Sequence, residues 1–204
     1  MPINYPKIFV VILCALLSAC SETIHWQEEA LLSSGQTIVV NRSVERIPAE
    51  LGHRRATSYE LSAKYPDSDK KLNWKGSFGL GPIMLGFKNH QAFIVALPVM
   101  CDAKINEFSI QEFPYIYMKS LDGNKWEVIN PSQLPAEFKS TNLSASYDDY
   151  RINKGNYQSH KAIVEGNKEA ERTSQGFIQV TIPRSPNEWN YKLNKVYKGC
   201  AQQN

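Results

Sequence analysis

The chain of 204 residues lacks a long apolar run, a basic cluster and any familiar catalytic motif. Its longest apolar stretch, "IFVVILCALLSA" from Ile8 to Ala19, falls short of the roughly 20 residues a helix needs to cross a bilayer core. Lysine and arginine occur at most in pairs, as Arg54-Arg55 and Lys70-Lys71, and the formal net charge is +3. This is no footprint for nucleic acid, and no nucleic-acid partner is expected. The four histidines, His25, His53, His90 and His160, are scattered without the H-E-x-x-H spacing of a metal site, so no metal is expected.

Further chemistry falls away on inspection. No G-x-S-x-G nucleophile elbow occurs. Gly76 to Gly81 satisfies the G-x-x-x-x-G half of a phosphate loop, but Pro82-Ile83 stands where Lys-Ser/Thr would supply the charge and the helix start. That stretch reads as a connection between strands. Ser68-Asp69-Lys70-Lys71 fits S-x-x-K, yet after Pro66 it lies in a polar turn where the lysine is solvated and protonated, a poor base. The acidic pairs Glu28-Glu29 and Asp148-Asp149 point to opposite faces of any strand and read as solvated surface. No cofactor and no catalytic residue is expected.

What is present begins at the N-terminus. Lys7 followed by the apolar run has the layout of a secretory signal peptide covering residues 1–19. Leu17-Ser18-Ala19-Cys20 resembles the lipobox of bacterial lipoproteins. The resemblance implies cleavage between Ala19 and Cys20, a diacylglyceryl thioether on the Cys20 thiol and often an acyl chain such as palmitate on the new amine. Two or more chains anchor stably, where one gives only marginal binding. Ser21 follows in place of the aspartate that would favour inner-membrane retention, so the resemblance favours the periplasmic face of the outer membrane. Residues 20–24 then form a lipidated tether and residues 25–204 a single domain.

With Cys14 lost in the signal and Cys20 lipidated, Cys101 and Cys200 remain. Two thiols in an oxidising compartment suggest one disulfide between them; the alternative is two buried free thiols.

The rest reads mainly as short strands. "HWQEEALL" and "QTIVVNRSV" flank Ser33-Ser34-Gly35, "TSYELSAKY" stops at Pro66-Asp67, and "LNWKG", "PIMLGF" and "QAFIVALPV" follow. "PYIYMKSLDGNKWEVI" predicts a hairpin turning at Asp122-Gly123. "NPSQLPAEFKSTNLSAS" is a proline-punctuated loop with a helical turn after Pro135, and "SHKAIVEGNKEAER" is the one good helix candidate. "GFIQVTI" and "WNYKLNKVY" return to strand. The pattern predicts a mainly β fold, a β-sandwich or partly closed barrel with one or two short helices.

Phe113, Tyr115 and Tyr117 recur at period two, with Trp126 on the partner strand. Such a row fits core, or alternatively an aromatic binding face. Trp189, Tyr191 and Tyr197 raise the same alternatives near the C-terminus. Trp26-Gln27-Glu28-Glu29 with Leu32, Gly35 and "IVV", "GLGP" at Gly79 to Pro82, and "LPAEF" with Asn142-Leu143 resemble segments of small bacterial lipoproteins without an assigned activity, so no site residues follow from them. The expectation is a periplasm-facing binding or envelope-support module without catalytic activity, partnered by the membrane and by an envelope protein or glycan. The alternatives are a hydrolase of peptidoglycan or glycan, and an exclusion or immunity lipoprotein acting against phage or conjugation.

Overall fold

The computed structural model describes residues 21–48, 54–77, 80–98, 115–120, 122–145, 157–173, 178–185 and 188. Nine strands and one α-helix follow in order: β1 Glu22–Leu31, β2 Thr37–Pro48, β3 Arg54–Lys64, β4 Lys71–Ser77, β5 Leu80–Lys88, β6 Gln91–Pro98, β7 Ile116–Ser120, β8 Trp126–Ile129, β9 Tyr157–Gln158 and α1 His160–Thr173. They form a five-stranded sheet of order β4-β3-β2-β1-β9 and a four-stranded sheet of order β5-β6-β7-β8. The fold is mainly β and sandwich-like, with a single α-helix among the described residues. No strand ladder joins the sheets among the described residues, so these strands form no closed barrel.

Period-two alternation explains the first sheet. Trp26, Ala30, Val40, Val44, Tyr59, Leu61, Leu72 and Trp74 point inward and are buried, while alternate residues such as Gln27, Val39, Asn41, Glu60 and Asn73 face solvent. The β1–β2 turn uses Gly35 at φ +85°, a conformation that costs glycine little.

In the second sheet β5 and β6 are buried on both faces, which is why "FIVALP" and "PIMLG" read as continuous apolar runs. Leu85, Ile94, Ala96, Ile116 and Met118 meet the first sheet. Ile83, Phe93, Val95, Tyr115, Tyr117 and Ile129 instead pack under Leu134, Phe138 and Ile182. Pro82, which has no N–H to donate, sits on β5 at the sheet edge beside a bulge between Pro82 and Met84.

The turns depart from the sequence reading in detail. The β7–β8 hairpin is present, but five residues connect its strands. Gly123 holds φ +97°, and the Asp122 carboxylate accepts from the Asn124 and Lys125 amides at 2.8 and 2.7 Å. Between β5 and β6, Asn89 and His90 both adopt positive φ, 50° and 60°, as a two-residue primed turn requires. In the proline-rich loop a 3-10 turn lies at Pro131–Gln133, ahead of the expected turn after Pro135, which the Phe138 amide closes onto the Pro135 carbonyl at 3.0 Å. Capping explains the added turn: Gln133 Oε1 accepts from the Asn130 amide at 2.8 Å, with Pro131 at the helix start.

Helix α1 buries Ile163, Gly166, Asn167 and Ala170 along one face. Of "GFIQVTI", the described part forms no strand beyond one bridge, Ser140 with Thr181. It is held instead by Tyr115, whose hydroxyl accepts from the Gln179 amide at 2.9 Å, and by Tyr117, which donates to the Pro183 carbonyl.

Candidate binding face

The aromatic row does not form one face. Tyr115 and Tyr117 are 2% exposed, and their rings lie under the 134–138 loop. Burial pushes the Tyr117 hydroxyl well above its ordinary pKa. Tyr117 pairs with Ile129 and Ser120 with Trp126, and positions three apart on a strand face opposite ways. Trp126 therefore packs against the inter-sheet core, where its Nε1 donates to the Asn73 carbonyl at 2.9 Å. Phe113, Ala19, Cys20, Cys101 and Cys200 lie outside the described residues, as do Trp189, Tyr191 and Tyr197.

The acidic pair Glu28-Glu29 is not simple surface. The two do face opposite ways, but Glu28 is fully buried and ion-paired to Arg42 at 2.6 Å. Trp26 Nε1 donates to the other Glu28 oxygen at 3.1 Å, and the Arg42 guanidinium lies 5.0 Å from the Trp26 ring centroid. Arg42 also donates to the carbonyls of Pro82 and Ser144, both at 3.0 Å. These bonds compensate the desolvation of both charges and tie β1, β2, β5 and the 144 loop together. Glu29 accepts from the Tyr157 hydroxyl at 2.5 Å and from the His160 amide at 2.9 Å. Those two bonds hold its carboxyl below the usual range.

Two buried asparagines do similar work. Asn142 Oδ1 accepts from the Leu85 amide at 2.9 Å, and its Nδ2 donates to the carbonyls of Leu85 at 2.8 Å and Leu31 at 3.0 Å. Asn167 donates to the Leu143 carbonyl at 2.8 Å and accepts from the Ala145 amide at 2.9 Å. All of this is structural; it leaves the outer side of the five-stranded sheet as the exposed polar surface.

That side is built by the alternate residues of four strands. Register aligns Gln27 with Asn41, Asn41 with Ser62, and Ser62 with Asn73, and Asn73 reaches Asn124 on the β7–β8 turn. The neighbouring row runs His25, Ser43, Glu60, Lys75. A cleft of about 780 Å³ includes Val39, Asn41, Ser62, Lys64, Lys71 and Asn73 in its lining. A second of about 470 Å³ continues from Asn41, Ser62 and Asn73 to His25, Ser43, Glu60, Lys75 and Asn124.

Glu60 is held below its ordinary pKa by the Lys75 ammonium at 2.7 Å, which is itself raised by Glu60. The Ser43 hydroxyl donates to Glu60 at 3.4 Å. The arrangement can donate and accept hydrogen bonds across four strands. Among the described residues no group of three His, Cys, Asp or Glu could hold a metal ion, and no helix is long and apolar enough to cross a membrane.

Sequence reasoning missed this face because its members come from four separate segments. The alternation of Asn41-Ser43-Glu45, Glu60-Ser62-Lys64 and Lys71-Asn73-Lys75 was the available signal; the register that aligns them was not. Comparison with protein-family models, curated proteins and solved structures gave no match.

Proposed function

We propose that this protein is a lipid-anchored module of the bacterial envelope. Cys20 carries the lipid at the periplasmic face of the outer membrane, Cys101 and Cys200 are joined as a disulfide, and the domain works by binding rather than by catalysis. The lipobox-like Leu17-Ser18-Ala19-Cys20 supports the anchor. The observation that carries the binding reading is the row Gln27, Asn41, Ser62, Asn73, Asn124, a solvent-facing set of neutral hydrogen-bonding groups of which Asn41, Ser62 and Asn73 line two continuous clefts and Asn124 the smaller of them.

The experiment has two arms. Mass spectrometry of the membrane fraction should find Cys20 as a lipidated N-terminus; an unmodified Cys20 refutes the anchor. A photo-reactive residue placed at Ser62 in cells should give a discrete crosslinked product that the same residue at Val128, exposed on β8, does not. No crosslink from Ser62 refutes the binding face.

A further inference from the structure

Resting on that reading of the face, we infer that its ligand is an extended, uncharged polypeptide segment laid across the strands. Gln27 Nε2 donates to Asn41 Oδ1 at 2.7 Å, and Asn73 Nδ2 donates to Asn124 Oδ1 at 2.9 Å. An amide pair joined by one bond keeps, on each side chain, a group of the other kind: an acceptor on the donating partner and donors on the accepting one. Across the sheet the row therefore offers acceptor, donor, the ambivalent Ser62 hydroxyl, acceptor and donor. Turning any amide pair over reverses its order but preserves the alternation. An extended backbone carries one N–H and one C=O per residue and so presents the complementary series. Strands lie about 4.8 Å apart and an extended chain rises about 3.3 Å per residue, so the span from β1 to β4 matches four to five residues.

Charge and ring content narrow the class. Beside the row, Glu60 is paired with Lys75 and Lys64 with Asp69 at 3.4 Å. Lys71 adds one positive charge at the rim, so a highly charged ligand meets little net counter-charge. A glycan would call for an aromatic ring against its sugar faces. The Tyr and Trp rings that border the clefts, Tyr65 and Trp74, point inward at 6% and 4% exposure; the exposed ring beside the row is Tyr157, in register with Gln27 outside both clefts, and its hydroxyl is committed to Glu29. Within the larger cleft the exposed apolar contact is Val39, at 47%, which suits an aliphatic or small side chain of a peptide.

The test is panning of a random dodecapeptide phage library on the detergent-solubilised, full-length lipoprotein. Glucan and chitin oligosaccharides serve as competitors, and the double variant N41A/N73A as the comparison. The expected result is enrichment of sequences low in Asp, Glu, Lys and Arg and rich in small or amide side chains. Their affinity should fall at least about tenfold in the double variant, because several hydrogen bonds are lost together. It should stay within about twofold in Val128→Thr. Enrichment of strongly charged sequences, displacement by the oligosaccharides, equal binding to N41A/N73A, or no enrichment would each overturn the inference. A crosslink from Ser62 in cells alongside failed panning would leave the binding face standing and remove only the ligand class.

Discussion

Replacing Asn142 by alanine should be among the most damaging single changes in the described structure. β5 is the edge of the four-stranded sheet, so the Leu85 N–H and C=O that point away from β6 have no strand to meet. Asn142 supplies both partners, at 2.9 and 2.8 Å, and reaches on to the Leu31 carbonyl at 3.0 Å. Leu85 is 0% exposed and Asn142 only 8%, so solvent does not readily replace the lost amide. Each buried backbone group left unpaired costs about 1–3 kcal/mol. Two such groups give about 2–6 kcal/mol, and partial relaxation points to about 2–4.

Against a typical domain stability of about 5–15 kcal/mol, that is a large loss. At a urea slope of about 2 kcal/mol per molar it lowers the midpoint by about 1–2 M. The assay is equilibrium urea unfolding of the soluble chain beginning at Ser21, followed by tryptophan fluorescence. Asn142→Asp supplies the control. It keeps an acceptor for the Leu85 amide but aims a carboxylate oxygen at two carbonyls. It should be worse than alanine at pH 7 and recover relative to alanine as the pH falls toward 4 and a proton restores the donor. A loss under about 1 kcal/mol for Asn142→Ala, or identical pH profiles for the two variants, would refute the reasoning.

The buried Glu28–Arg42 pair should behave non-additively. Arg42→Met alone strands Glu28 and costs about 3–5 kcal/mol, whereas Glu28→Leu with Arg42→Met costs less than the sum of the single changes in a double-mutant cycle. At Gly86 an added Cβ would lie 2.7 Å from the Phe138 ring, so Gly86→Ala should cost about 1–3 kcal/mol. Adding Phe138→Leu to Gly86→Ala should give a loss smaller than the two changes sum to, read by the same unfolding assay. Glu29 has a folded pKa below its unfolded value because Tyr157 and the His160 amide bond to the carboxylate. Its contribution is therefore present above the unfolded pKa, about 4.3, and is lost as pH falls through the lower folded value. The stability gap between wild type and Glu29→Gln should shrink on acidification from pH 6 to 3, and a gap that widens would reverse the assignment.

The class of this fold was legible in the sequence because strand burial has a period of two and the turns carry their own chemistry. Gly35 and Asp122-Gly123 mark two hairpins, and Pro98 stands where β6 ends. The helix was legible too, from Ile163 to Ala170 at helical spacing. The two-sided burial of β5 and β6 was only half visible: continuous apolar runs imply two covered faces, but not that the 134–138 loop and Ile182 cover one of them. Tyr115 and Tyr117 became core and Trp126 went to the opposite face because the five-residue turn set their register. Glu28, a charge that local sequence places on a surface, is buried because Arg42, 14 residues away, meets it inside the sandwich. The amide row depends on the same cause. Which residues alternate outward is a property of each strand alone, but which of them stand side by side is decided by pairing between strands far apart in the chain, and only the assembled sheet contains that information.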